Sequence, residues 1–267
     1  MVLLFGIAIA LSAAARSTWS PCGLSMLSQI TPLAEAGRGH RFMRTASWFI
    51  VGATLGGLSL GGAIAGAAIL LSAGSLGSGT ALALTVGAAL AGAAVDAQLF
   101  GFGPPFLPRQ VNADWLSKYR SWVYGLGFGW QIGVGVATYV MTAAVPLMIV
   151  LGALSANPWA AVAIGAIFGL ARGLAVLIGA RVRTAPALYA FHRRFDAWAA
   201  PVRHAVIGVQ LAVAVAAAWI VAPILVAAAV SIAAAALLAW TNRELQPDFS
   251  RRRVHAGREA IAPSTKG

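Results

Sequence analysis

The chain has 267 residues, of which 60% are hydrophobic and 10% charged. A soluble domain of this length needs about a quarter charged residues to cover its surface, so a water-soluble globule is excluded. The formal charge of +12 would suggest nucleic acid in a soluble protein, but every Lys and Arg except Arg16 and Arg172 lies between or after apolar segments, the pattern of topogenic charge, and no nucleic-acid partner is expected.

The first apolar segment, 2–33, is too long for one straight span. It carries Pro21 and Gly23, which break a helix inside a bilayer, so it is read as one helix interrupted near Pro21 with both halves packed in protein. Spans follow at 46–73, 80–100, 122–154 and 158–180. The stretch 205–240 would be roughly 54 Å long as a single helix, nearly twice a bilayer core, and it divides near Pro223. The expectation is an all-α integral membrane protein with seven transmembrane helices, the lipid bilayer being its first partner. A secretory signal over 1–15, ending in Ala13, Ala14 and Ala15, fits less well: no basic residue precedes it, and cleavage would leave a remainder too short to span.

The basic residues alternate with these spans. Arg38, Arg41 and Arg44 follow the first, Arg109, Lys118 and Arg120 the third, and Arg181, Arg183, Arg193, Arg194 and Arg203 the fifth. Arg243, Arg251, Arg252, Arg253, Arg258 and Lys266 lie in the tail, whereas 74–79, 155–157 and the turn near Pro223 carry none. This alternation predicts an N-terminus outside and a C-terminus in the cytoplasm of a bacterial inner membrane.

Trp19, Ser20, Pro21, Cys22 and Gly23 align with Trp130, Gln131, Ile132, Gly133 and Val134. Each run belongs to a long apolar segment with a later proline, Pro32 or Pro146, and is followed by a span with glycine at every fourth position: Gly52/Gly56 and Gly57/Gly61 in one, Gly165/Gly169/Gly173 in the other. Three spans separate the copies, so they have opposite orientation, giving two inverted three-helix repeats plus a seventh helix. The predicted layout is a first repeat over 1–100, an interfacial linker over 101–121, a second repeat over 122–221, a seventh helix over 222–241 and a basic cytoplasmic tail over 242–267, largely disordered.

The run Ser20, Pro21, Cys22, Gly23, Leu24, Ser25, Met26, Leu27 resembles the opening helix of the DsbD/CcdA thiol-disulfide electron transporters. In that family a second motif, Gly-Trp-x-Pro-Cys, opens the fourth span, and it falls here on Gly129, Trp130, Gln131, Ile132 and Gly133. The resemblance implies a pair of cysteines passing reducing equivalents from cytoplasmic thioredoxin to proteins outside. This chain has one cysteine, with Gly133 at the second position, so an intramolecular relay and any multi-cysteine metal site are excluded, and a thiol role for Cys22 requires a thioredoxin-like or other thiol protein as partner.

Cys22 follows the helix break, near the N-terminal end of a half-helix whose free N–H groups and dipole favour a reactive thiolate. A buried, inert thiol is the alternative. Asp96 and Arg172 are the ionisable residues most clearly inside the hydrocarbon region, and they either pair or line a wet cavity. Arg16, beside the first break, either attracts an anion or reaches the interface. The relay or substrate pocket is therefore assigned to Trp19, Pro21, Gly23, Trp130, Gly133, Gly135, Arg16, Asp96 and Arg172 around a catalytic Cys22.

Residues 189–204 place Phe191, Phe195 and Trp198 at helical spacing beside Arg193 and Arg194, as in an interfacial amphipathic helix. His40, His192, His204 and His255 are dispersed; no metal site and no cofactor are expected. Three functions remain open: thiol-disulfide or cytochrome maturation chemistry outside the membrane, transport of a small and anionic solute at helices broken at Pro21 and near Gly133–Gly135 with Arg16 or Arg172 as countercharge, and a non-catalytic membrane subunit.

Overall fold

In the computed structural model, residues 1–74, 77–99, 101 and 118–259 are described, with side chains to residue 241. Most of the linker expected at 101–121 lies outside them. Every regular element among the described residues is helical.

The first segment forms α1 (Val2–Ser17) and α2 (Pro21–Gln29), bent by 66°. The bend follows from local chemistry. Ser20 caps α2 by accepting a hydrogen bond from the Gly23 N–H at 3.2 Å, and Pro21 occupies the first helical position, where its missing N–H costs nothing. Gly23 is required because a Cβ there would stand 2.2 Å from the Thr18 carbonyl oxygen. A short α3 (Pro32–Gly37), capped by Thr31, leads into α4 (Phe42–Ala73) and α5 (Ser78–Asp96).

The segment 122–154, expected as one span, is divided into α6 (Ser121–Val134) and α7 (Ala144–Leu154). Gly135 ends α6 at φ +72°, a conformation that favours glycine, and the chain between the two helices is almost free of regular structure. Next come α8 (Pro158–Leu174), capped by Asn157, and a 3₁₀ turn (Ala175–Arg181). They are followed by α9 (Ala185–Ala197), α10 (Ala199–Val221) and, after Pro223, α11 (Ile224–Glu259). The break at Pro223 is the one expected. α11 runs on past 241, however, where the sequence suggested disorder.

Among the described residues, five helices are long and apolar enough to cross a membrane, and the bent pair of α1 and α2 makes a sixth. α6 and α7 are each too short to cross alone, at about 21 and 16 Å. Large apolar side chains such as Trp159 and Leu225 are about 80% exposed, as lipid-facing residues are. The chain is an all-α multi-pass membrane protein.

α4 lies at the centre, between α6 and α8. Its glycines lie on two faces. Gly52 and Gly56 receive the backbone of α6, and Gly57 and Gly61 receive that of α8. In lipid, where apolar burial does not drive helices together, such backbone approach supplies the packing. α4 pairs with α8 and α5 with α10; α4 meets α6 and α7 as α8 meets α1.

The connections sort by charge. Met1, Ser78 and Leu154–Ala156 surround one cavity, while Arg41, Arg44 and Arg183 surround another together with Pro32. Residues of two connections without basic residues thus lie together, and Arg41, Arg44 and Arg183 lie together at a separate cavity.

Candidate functional site at the two helix breaks

Cys22 is the second residue of α2, in its first turn, and is 2% exposed. Facing the same break is Arg172, from the last turn of α8, also 2% exposed. One guanidinium nitrogen donates to the Ser17 carbonyl at 3.4 Å, so the cation sits at the C-terminal end of α1, where the helix dipole favours it. The guanidinium carbon lies 5.7 Å from the centre of the Phe168 ring, within cation–π range. Arg172 is within Coulombic reach of Cys22, and among the described residues no carboxylate pairs with it. The Ser17 hydroxyl, buried at the same break, has no hydrogen-bond partner among the described residues.

The first break is covered by α9. Trp19 stacks on Phe195 with ring centres 4.3 Å apart and planes 9° from parallel, and its indole N–H donates to the Phe195 carbonyl at 2.8 Å. Ser28 Oγ and His192 Nε2 are 3.0 Å apart. The amphipathic segment expected at the interface is therefore packed against α2. Phe195 is buried, whereas Trp198, at the junction of α9 with α10, is 62% exposed.

The second break is organised by Asp96, the last residue of α5. Its carboxylate accepts from the Ala143 N–H at 2.7 Å, Thr142 Oγ1 at 2.6 Å and Gln210 Nε2 at 2.8 Å. Ala143 has no side chain with which to cap α7, so Asp96 caps that half-helix from across the bundle. Asp96 and Arg172, which the sequence allowed to pair, are not paired. The carboxylate is saturated by three donors at α7, and the guanidinium faces the end of α1.

Gly135 stands against the Phe168 ring, where a Cβ would come within 2.7 Å of the ring edge. Phe168 and Arg172 are one turn apart on α8, so a single helical turn touches both breaks. Two other expected pocket residues lie elsewhere. Gly133 is packed on the Ala53 carbonyl of α4, and Trp130 is 44% exposed, its indole N–H donating to Ser59 Oγ at 3.2 Å.

A further buried carboxylate, Glu35, was not singled out from the sequence. It is completely buried on α3 and accepts from Thr45 Oγ1 of α4, from the Tyr124 hydroxyl of α6 (2.6 Å to the nearer oxygen) and from Arg38 at 2.8 Å. The available signal was its isolation: Glu35 is the only acidic residue before Asp96. No group of three or more His, Cys, Asp or Glu side chains suited to a metal ion occurs among the described residues.

The chain is similar to methylamine utilization proteins MauF. It is 35% identical to that of Paracoccus versutus over 181 residues, covering 67% of this chain and 65% of the relative. It is 34% identical to that of Paracoccus denitrificans over 177 residues (65% and 62%), and 30% identical to that of Methylophilus methylotrophus over 169 residues (61% and 57%). The chain spans less than two thirds of the length of these curated relatives. No family model matches it. No solved structure matches it either.

Proposed function

We propose that this chain is a membrane accessory protein for methylamine utilization, acting as a thiol site in extracytoplasmic maturation chemistry through Cys22 and a partner's cysteines. Similarity to the MauF proteins supports the accessory role. The thiol role rests on one observation: the buried Arg172 guanidinium lies within Coulombic reach of Cys22 and has no carboxylate partner among the described residues. A buried cation without a carboxylate partner among the described residues is costly in this setting, and the Cys22 sulfur is within its reach.

The chemistry balances with one cysteine. The Cys22 thiolate attacks one sulfur of a partner's disulfide; the Cys22–S bond forms, the partner's S–S bond breaks, and the second sulfur leaves as thiolate. A thiolate of the partner then attacks the mixed disulfide and returns Cys22. The net result is disulfide exchange without electron transfer, which distinguishes this chain from the two-cysteine transporters of the DsbD/CcdA type that its first motif resembles. The alternation of basic connections supports an N-terminus outside and a C-terminus in the cytoplasm of the inner membrane.

Acid quenching of the native host's membranes, followed by alkylation and non-reducing electrophoresis, tests this reading. A mixed disulfide that contains this chain and disappears in Cys22→Ser is the expected result. Full support of growth on methylamine by Cys22→Ser overturns it.

A second reading is transport of a small anion, with Arg172 as counter-charge between two broken helices, an arrangement common to inverted-repeat transporters. It is favoured by the same unpaired guanidinium, and it requires Cys22→Ser to be tolerated while Arg172→Ala is not.

A further inference from the structure

The surroundings of Asp96 contain an imbalance that capping α7 does not explain. Arg16, near the end of α1, and Arg203, near the start of α10, both border a cavity of about 140 Å³ together with Asp96, Gln98, Met141 and Val206. That is several times the roughly 30 Å³ a water occupies in the liquid. Arg16 is within Coulombic reach of both Asp96 and Arg203, so two like charges face one space. Neither arginine forms an ion pair with Asp96 or with any other described carboxylate. Both Asp96 oxygens are already committed to Ala143, Thr142 and Gln210.

Arg203 is held in place through only part of its guanidinium. Its Nε donates to the Asp96 backbone carbonyl at 3.0 Å, and one terminal nitrogen lies 3.5 Å from Gln98 Oε1, so N–H groups remain for a ligand. Gln98 has a left-handed backbone, φ +59°, unusual for a residue with a side chain. That turn brings the Asp96 carbonyl and the Gln98 side chain to the same arginine. Among the described residues, none accepts a hydrogen bond from the Arg16 side chain.

We propose that the space between Arg16 and Arg203 binds a small oxyanion of the phosphate class, supplied either free in solution or as the headgroup of an anionic phospholipid. The anion neutralises both guanidinium groups and accepts their free N–H groups in charge-assisted hydrogen bonds. The site lies at the second helix break and goes beyond the thiol reading, on which it does not depend.

The test uses the full chain in phosphatidylcholine nanodiscs, monitored by thermal unfolding. Inorganic phosphate is titrated at constant ionic strength, with chloride as the control. In a second arm, phosphatidylglycerol replaces a fifth of the lipid, a composition chosen to be about that of a moderately anionic membrane. A saturable rise in Tm with phosphate, weakened about tenfold or more in Arg16→Gln, is the result expected for a free anion. A rise only with phosphatidylglycerol, lost in Arg16→Gln, identifies the lipid source. Arg203→Lys keeps a charge while losing the fork and gives an intermediate response in either case. Identical responses of the wild type and Arg16→Gln in both arms overturn the proposal. Cys22→Ser leaves the anion response unchanged, which separates this result from the thiol reading.

Discussion

A cysteine introduced at Gly133 abolishes assembly of the protein. Gly133 is the position at which the DsbD/CcdA pattern has its second cysteine, so Gly133→Cys is the obvious attempt to restore a two-thiol relay. In this fold residue 133 lies on the face of α6 that is pressed against α4. A Cβ there would stand 2.0 Å from the Ala53 carbonyl oxygen and 2.7 Å from the carbonyl carbon, and a backbone cannot swing aside as a side chain can. The same seam depends on Gly129 against the Phe49 carbonyl and Gly56 against that of Trp130, both about 2.2 Å from a built Cβ. Ordinary overpacking costs about 1–3 kcal/mol, and separating two backbones along a seam exceeds that range.

Size-exclusion chromatography in mild detergent is expected to show almost no monodisperse Gly133→Cys protein. Gly62→Cys, on the same α4 but with nothing within 4 Å of its Cβ, should behave as wild type. A well-folded Gly133→Cys that forms a disulfide with Cys22 would contradict the α4–α6 packing.

Asp96→Ala has the second large effect. The substitution removes the acceptor for the Ala143 N–H, the Thr142 hydroxyl and the Gln210 amide together, at a site where Asp96 is 6% exposed. Each orphaned donor costs about 1–3 kcal/mol in a protein interior and somewhat less in a bilayer, giving a total of about 2–5 kcal/mol. Because the loss falls on the N-terminus of α7, the consequence is local as well as global. A lowered Tm is expected, with faster proteolysis between residues 135 and 143. Asp96→Asn retains one carbonyl oxygen and should fall between the two. A Tm for Asp96→Ala equal to that of wild type would show that α7 needs no external cap.

What was legible in the sequence was the work of proline, glycine and charge. Pro21 and Gly23 located the first break, Pro223 the last, and the fourfold spacing of Gly52, Gly56, Gly57 and Gly61 identified the helix that others approach closely. The second break was legible only as Gly135. The residues after it, among them Val136, Val140 and Ala143, are themselves apolar because they are buried among helices, so hydropathy ran without interruption from 122 to 154.

Long-range partnerships were not legible. The contact of Asp96 with Ala143 joins residues 47 apart in the chain, and the Glu35 cluster draws on α3, α4 and α6. Spacing aligned Gly133 with a cysteine position, but the face of the helix, which spacing to a distant motif does not encode, made it a packing residue. The assignment of Arg172 to the first break belongs to the same class, since it is set by how α8 seats on α1 and α4.

The most direct test of the central claim, that Arg172 makes Cys22 reactive at the first break, is the rate at which a small membrane-permeant maleimide alkylates Cys22 in intact membranes. Wild type, Arg172→Met and Arg172→Lys are to be compared at one pH, each normalised to its rate after unfolding in detergent. The account predicts measurable alkylation of the folded wild type, a fall of about tenfold or more in Arg172→Met from loss of the neighbouring charge, and substantial recovery in Arg172→Lys. Equal rates in all three, or no alkylation until the protein unfolds, would make Cys22 a packing residue and contradict the thiol site.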